Sequence, residues 1–204
     1  MRYRTLAAVV ASTAFIAISH PSLASAHAAP TCMGHKATIV GTSHRDVIHG
    51  TSHSDVIVTF GGNDTIYGGG GNDIICSGSG NDRIFAGSGN DRVNAGSGDD
   101  TVNGGTGSDD LNGGDGNDTL SGGIGDDTIN GDAGDDTVSG GQGNDDLNGD
   151  DGNDTIDGGT GTNVEDGGQG SDDCVGVTPC NDDQGEDQGD TPGTTTGTTP
   201  TTTS

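Results

Sequence analysis

Residues 104–121 read GGTGSDDLNGGDGNDTLS, which is one nine-residue pattern written twice. In each copy a glycine-rich stretch leads to an aspartate, and a branched aliphatic residue follows that aspartate two places later. A fixed short period of this kind predicts stacked, nearly identical structural units, and it outweighs local secondary-structure propensity. We therefore expect the repeat to decide the fold.

The pattern continues far beyond this segment in both directions. Its aspartates, here called the register aspartates, fall at every ninth position: Asp46, Asp55, Asp64, Asp73, Asp82, Asp91, Asp100, Asp109, Asp118, Asp127, Asp136, Asp145 and Asp154. The register aliphatics keep step with them at Ile48, Ile57, Ile66, Ile75, Ile84, Val93, Val102, Leu111, Leu120, Ile129, Val138, Leu147 and Ile156. Glycine stands two places before the register position in every repeat from Gly62 to Gly170.

The composition alone would suggest a chain that cannot fold. Aromatic residues make up 2% of it, hydrophobic residues 26%, and the formal net charge is −26, which are values typical of disorder. The repeat changes that interpretation, because it delivers the few aliphatic residues to one recurring position where stacking can bury them together. Folding is then possible, but we expect it to be conditional.

Each unit has a chemistry that its residues specify. Glycines at alternate positions permit positive φ and a close turn, so that peptide carbonyls can converge on one point. The aspartate adds a charged oxygen, and a set of oxygen ligands suits calcium rather than zinc. The three residues after the turn, such as Thr101, Val102 and Asn103, alternate polar and apolar as in a short strand. The unit therefore predicts one turn followed by a three-residue strand.

Over roughly residues 59–172 the repeat resembles the G-G-x-G-x-D-x-U-x nonapeptide of the RTX, or haemolysin-type, calcium-binding proteins. The resemblance implies an all-β fold, a right-handed parallel β-roll with two nonapeptides per coil and calcium between successive turns. The implied metal-binding residues are Asp64, Asp73, Asp82, Asp91, Asp100, Asp109, Asp118, Asp127, Asp136, Asp145 and Asp154, with Gly62, Gly71, Gly80, Gly89, Gly98, Gly107, Gly116, Gly125, Gly134, Gly143 and Gly152.

A coil of two units places aspartates that are 18 residues apart on the same edge of the roll. One edge carries the row from Asp64 to Asp154 and the other the row from Asp73 to Asp145. With one ion in each gap, the regular repeats offer sites for about nine calcium ions. Carboxylates about 5 Å apart repel by roughly 1 kcal/mol even in bulk-like solvent, and several times more in a partly dry turn. We therefore predict that the chain folds only when calcium binds.

The chain begins with features of a secretory signal peptide. Arg2 and Arg4 precede an apolar run from Leu6 to Ile18, and small residues around Ala26 suit a signal peptidase. We expect residues 1–26 to be removed and the protein to be secreted into the extracellular space. The mature chain then carries a charge of about −28, which repels nucleic acid and anionic membranes.

The repeat degenerates at both ends. Residues 27–58 are predicted to form an N-terminal cap with a degenerate first coil, because His44, His53, Thr42 and Thr51 replace turn glycines. The calcium-binding roll is predicted over residues 59–174. Near its end Asn163 replaces a register aspartate and Glu165 occupies an aliphatic position, so we expect the roll to be failing there, although Asp172 and Cys174 restore the register once. Residues 175–204, rich in Asp, Gly and Thr, are predicted to be a disordered tail.

Four cysteines in a secreted chain favour disulfides. Cys174 and Cys180 could close a small loop while Cys32 pairs with Cys76, although the two other pairings remain open at the level of sequence. A Cys-x-x-Cys spacing does not occur in the sequence, so zinc or redox chemistry is disfavoured.

Three classes of function compete for this sequence. The first is a non-catalytic calcium-binding repeat protein with a structural, adhesive or calcium-sequestering role, whose partners are calcium ions and an extracellular or cell-surface polymer. The second binds ice or polysaccharide through outward ladders of Thr101, Thr119, Thr137 and Thr155 and of Asn94, Asn112, Asn130 and Asn148. The third is a hydrolase, which we disfavour because neither Gly-x-Ser-x-Gly nor His-Glu-x-x-His occurs. Neither nucleic-acid binding nor membrane insertion is expected.

Overall fold

The structure, a computed structural model, describes residues 29–175 and the backbone of residues 181–182. These residues form strands and turns only. Within them, no helix has the length and apolar character needed to span a bilayer. The predicted signal peptide at residues 1–26 and most of the predicted tail lie outside the described residues.

Successive strands alternate between two parallel sheets. The first sheet contains β4 (Val47–His49), β6 (Thr65–Gly70), β8 (Arg83–Ser88), β10 (Thr101–Thr106), β12 (Thr119–Ile124), β14 (Thr137–Gln142), β16 (Thr155–Thr160) and β18 (Asp173–Val175). The second contains β3 (Ile39–Val40), β5 (Val56–Val58), β7 (Ile74–Ser79), β9 (Arg92–Ser97), β11 (Asp110–Asp115), β13 (Thr128–Ala133), β15 (Asp146–Asn148), β17 (Val164–Gly168) and β19 (Asn181–Asp182).

Every strand in the regular part of the roll pairs with the strands one coil before and one coil after it. Val102 stands opposite Ile84 on one side and Leu120 on the other, which is a shift of 18 residues each way. The same shift relates strands of the second sheet, where Leu111 pairs with Ile129. The prediction of an all-β parallel solenoid with two nonapeptides per coil is therefore confirmed.

The core is a double row of aliphatic side chains between the two sheets. Each regular strand contributes one register aliphatic, and those from Ile57 to Ile156 are at most 1% exposed. Burying one such side chain contributes about 1.5–3 kcal/mol, so a coil gains little from its two. The chain thus depends on the stacking of many coils, as the composition implies.

The strands are longer than the sequence analysis predicts. The expected strand of three residues at Thr101–Asn103 is in fact β10, which continues to Thr106. The difference arises because turn glycines also join the parallel ladder, with Gly105 opposite Gly87 and Gly123. The turn and the strand of the repeat therefore overlap.

A small antiparallel hairpin precedes the roll. Its strands, β1 (Thr31–Cys32) and β2 (His35–Lys36), pair with each other alone among the described strands. A disulfide joins Cys32 to Cys76 in β7, which confirms the predicted attachment of the entry segment to an early coil. Cys174 is also disulfide-bonded, and its predicted partner Cys180 lies outside the described residues.

The roll does not fail where Asn163 and Glu165 interrupt the pattern, so that prediction is wrong. Strand β17 pairs with β15 in full register, and Glu165 stands opposite Leu147. The backbone of residues 181–182, inside the segment predicted to be a tail, adds β19 beyond it. Parallel pairing continues because it depends on backbone groups, which the two substitutions leave unchanged.

Candidate functional site

The register aspartates lie at the two edges of the roll, just before each strand begins. From Asp64 to Asp154 they are between 0% and 3% exposed. Charged side chains are seldom this buried unless they are paired or bind metal. The turns that hold them are therefore the candidate functional site.

One oxygen of each carboxylate has a clear structural role. Oδ1 accepts a hydrogen bond from the backbone N–H of the register aspartate 18 residues earlier, as between Asp118 and Asp100 at 2.7 Å. The same bond, between 2.7 and 2.9 Å, recurs at Asp64, Asp73, Asp82, Asp91, Asp100, Asp109, Asp127, Asp136, Asp145 and Asp154. These bonds tie each coil to the next.

The second oxygen points into the turn and has no donor. Oδ2 is buried without a hydrogen-bond partner at Asp64, Asp73, Asp82, Asp91, Asp100, Asp109, Asp118, Asp127, Asp136, Asp145 and Asp154. A buried carboxylate oxygen without a donor or a cation costs free energy, because it has lost its water. The repetition of this feature through the regular part of the roll indicates that these oxygens bind one kind of ligand.

The space around Oδ2 is walled by peptide groups of two neighbouring coils. A Cβ added to Gly104 would collide with Oδ2 of Asp109 and would lie 2.8 Å from the carbonyl oxygen of Gly122. The corresponding glycines Gly113 and Gly131 meet Asp118 and Asp136 in the same way. From Gly104 onward, glycine at this position therefore opens a cradle in which a carboxylate oxygen and a peptide oxygen converge, whereas Thr59, Ser77, Ala86 and Ala95 hold the position in earlier turns.

The glycines two places before each aspartate let the coils approach closely. Gly107 has a φ of +125°, and a Cβ there would collide with the carbonyl oxygen of Gly89 one coil earlier. All the predicted metal-binding glycines share this positive φ, namely Gly62, Gly71, Gly80, Gly89, Gly98, Gly107, Gly116, Gly125, Gly134, Gly143 and Gly152. The structure thus brings the predicted site residues together into two stacked rows of turns.

Burial raises the pKa of these carboxyl groups. The pKa of Asp91, Asp100 and Asp136 rises to about 7, chiefly through desolvation and further through the charges of neighbouring register aspartates. The pKa of Asp118 and Asp127 rises to about 6, again mainly through desolvation. The hydrogen bond accepted from the preceding coil acts in the opposite direction but is the smaller effect.

The degenerate first coil provides an internal comparison. There Oδ2 of Asp55 accepts hydrogen bonds from the backbone N–H of Thr51 at 2.7 Å and from its hydroxyl at 2.8 Å. Oδ2 of Asp46 accepts the same pair from Thr42, at 2.6 and 2.9 Å. Where threonine replaces the turn glycine, the chain itself therefore satisfies the oxygen that the regular turns leave bare.

We expect Thr51→Val to destabilise the calcium-loaded protein by about 1–3 kcal/mol, because it removes a donor to a charged acceptor. The change preserves the shape of the side chain and leaves the backbone N–H of Thr51 in place. Chemical denaturation in saturating calcium measures the effect. Thr119→Val, on the exposed outer face of β12, is the matched control and should change stability little.

The donor set of the regular turns fits calcium. Carboxylate and peptide oxygens are the ligands that this cation prefers, and its coordination is flexible. Across residues 29–175, no group of three or more His, Cys, Asp or Glu side chains is arranged to hold a metal ion. The candidate ligands are instead a carboxylate oxygen from the register aspartate and carbonyl oxygens from the glycine turns.

The sequence matches the family of the RTX calcium-binding nonapeptide repeat over residues 40–75, 77–111, 103–138, 112–147 and 139–174. The chain belongs to this RTX repeat family. The family supports calcium as the bound ion, and the RTX repeats here include the first coil, whose turns depart most from the pattern. No curated protein sequence matches the chain.

Sequence reasoning missed three features of this RTX roll. It treated Thr42 and Thr51 as damage to the turn rather than as donors, and it did not foresee that Glu165 is only 2% exposed. It also missed a stack of aromatic rings on the outer face, where Tyr67 lies 4.8 Å from His49 and 5.2 Å from Phe85 between ring centroids. The 18-residue spacing of these rings was a signal that could have revealed the stack.

Proposed function

We propose that this protein is a secreted, non-catalytic RTX roll that folds on binding calcium between its stacked turns. Its role is structural, adhesive or calcium-sequestering, at a cell surface or in an extracellular polymer. RTX rolls typically serve structural or binding purposes rather than catalysis, which supports the non-catalytic part of the proposal.

The observation that carries the proposal is the contrast between the two kinds of turn. In the regular turns Oδ2 is buried and bare, as at Asp100 and Asp109. In the first coil the donors of Thr51 reach the equivalent oxygen of Asp55. In the first coil, hydrogen bonds from threonine stabilise this oxygen. In the regular turns, a bound divalent cation stabilises it instead. By the same reasoning the register aspartates are proposed ligands, for about nine ions in the regular gaps.

Cation binding to such turns is coupled to folding. The apo roll would hold two rows of buried carboxylates close together, and each coil has only two aliphatic side chains to offset that cost. A ligand that binds the folded state alone stabilises it in proportion to the logarithm of its concentration. Because each ion joins neighbouring coils, we expect the transition to be cooperative.

Replacement of one register aspartate tests the proposed ligands. We expect Asp109→Asn to weaken calcium binding in its own turn about tenfold, since a lost charged ligand worth about 1.4 kcal/mol corresponds to that factor, and so to raise the calcium concentration at the folding midpoint. Asparagine fits the position, because Oδ1 of Asn163 already accepts the N–H of Asp145 at 3.0 Å. Circular dichroism during a calcium titration measures the midpoint.

The matched control is Asp110→Asn, which removes the same charge one residue away. Asp110 is exposed and makes an ion pair with Arg92 at 3.0 Å, a surface interaction worth about 0–1 kcal/mol. Its midpoint should stay close to that of the unaltered protein. Equal shifts in the two variants would mean that overall charge, rather than ligation, controls calcium binding.

A surface-binding role rests on a different observation. Parallel pairing places Thr101, Thr119, Thr137 and Thr155 in one outward row on the first sheet. The asparagine row of the second sheet is less available, because the Asn94 amide donates to Asn112 at 3.0 Å and Asn112 donates to Asp132 at 2.7 Å. Thermal hysteresis and polysaccharide pulldown in calcium distinguish this second candidate from the first.

A further inference from the structure

The turn at residues 158–163 departs from every regular turn of the roll. Its register position holds Asn163 in place of an aspartate, and the aliphatic position two places later holds Glu165. Oδ1 of Asn163 still accepts the N–H of Asp145. The amide nitrogen Nδ2, however, takes the place of the second carboxylate oxygen, and an amide N–H cannot bind a cation.

The Glu165 side chain reaches the same part of the turn as Nδ2 of Asn163. A Cβ added to Gly158 would collide first with Oε1 of Glu165, just as one added to Gly149 would collide with Oδ2 of Asp154. The Nδ2 atom of Asn163 lies 2.5 Å from the same added Cβ. Oε1 also accepts the backbone N–H of Gly158 at 3.1 Å. The carboxylate oxygen Oε1 of Glu165 therefore lies beside Gly158 at the place where Oδ2 of the register aspartate lies in a regular turn.

The deep burial of the Glu165 side chain is unusual for a charged residue at this position. Glu165 is 2% exposed, and the equivalent position in the regular coils always holds an aliphatic residue such as Leu147 or Ile156. A carboxylate in such a position is costly unless it is paired with donors or a cation. The loss of a charge at Asn163 and its gain at Glu165 leave this turn with the same formal charge as a regular turn.

We propose that Glu165 is the anionic ligand of an additional divalent-cation site in the turn at residues 158–163, outside the nonapeptide pattern. The site takes a hard cation of the calcium type, with peptide oxygens of the turn completing its ligands. This inference rests on the proposed calcium binding by the regular turns, and it raises the expected ion count by one.

Native mass spectrometry of the secreted chain in saturating calcium tests the inference by counting bound ions. Glu165→Leu restores the aliphatic residue of the pattern, so it should fold and bind one ion fewer. Glu165→Gln, which keeps the side-chain shape, should lose the same ion. The double variant Asn163→Asp with Glu165→Leu rebuilds a regular repeat and should regain it. Asp146→Asn, an exposed charge on β15, should leave the count unchanged.

An ion count in folded Glu165→Leu equal to that of the unaltered protein would overturn the inference while leaving the proposed function intact. If Glu165→Leu does not fold, an unchanged count in Glu165→Gln has the same meaning. An unaltered protein that binds no calcium would overturn the proposed function itself.

Discussion

Removal of calcium at neutral pH is expected to unfold the roll. The register aspartates lie in stacked rows at most 3% exposed, burial opposes their ionisation, and Oδ2 has no donor from Asp64 to Asp154. Unfolding returns these carboxyl groups to water, where they ionise freely at this pH. The opposing stabilisation comes from two buried aliphatic side chains per coil. Each contributes about 1.5–3 kcal/mol to the free energy of unfolding before the entropy cost of folding is subtracted. Without the cation the balance favours the unfolded chain.

Circular dichroism and hydrodynamic radius measure this transition as chelator is added. We expect the β signal to disappear and the radius to grow towards that of an unfolded chain. Magnesium is a suitable control, because it demands a small octahedral shell and keeps its waters, so it should not restore the roll at the same concentration. A compact β structure in excess chelator would contradict the account.

Acidification of the metal-free protein is expected to have the opposite effect and to promote folding. Burial raises the pKa of Asp91, Asp100 and Asp136 from 3.8 to about 7. Between about pH 4 and pH 7 the folded state therefore binds more protons than the unfolded state. The free energy of unfolding consequently falls as the pH rises through this window.

The size of the pH effect can be bounded. A shift of one pKa unit corresponds to about 1.4 kcal/mol, while whole domains are stable by only about 5–15 kcal/mol. Several buried aspartates with raised pKa values are thus enough to decide whether the apo roll folds. With calcium present the pH dependence reverses, and acidification destabilises the roll. The reason is that protons compete with the ion for the same oxygens and weaken its binding at low pH.

Circular dichroism of metal-free protein across this pH range checks the prediction. The β signal should increase as the pH falls from about 7 towards 4, the window set by the folded and unfolded pKa values of Asp100. Asp146→Asn, which removes an exposed charge on β15, should leave the profile largely unchanged. A β signal that is insensitive to pH would show that the buried carboxylates do not oppose folding.

The period of the sequence was enough to predict most of the fold. A branched aliphatic residue every nine positions predicts one inward side chain per strand, and the 18-residue coil predicts pairs such as Val102 with Leu120. The glycine pattern likewise predicts two rows of acidic turns. These features depend on residue spacing alone, so the sequence is enough to predict them.

Other parts of the site depend on which atoms meet, and spacing does not specify that. The sequence places Asp118 in a turn, but it does not reveal that Oδ1 bonds to the coil before it while Oδ2 stays bare. It marks Thr51 as a departure from glycine without showing that its donors reach Asp55. Similarly, Glu165 at an aliphatic position predicts the end of the roll. The sequence does not show that its Oε1 accepts a hydrogen bond from the backbone N–H of Gly158.

The positions of bound ions decide whether calcium holds the buried aspartates of the roll. An anomalous difference map from crystals of the protein grown in calcium should show two rows of peaks, one along each edge of the roll. Each peak should lie beside Oδ2 of a register aspartate such as Asp100 or Asp118, within calcium-ligand distance of about 2.3–2.6 Å. An ordered roll without peaks in these turns would contradict the account, because its buried carboxylates would then be stable without a cation.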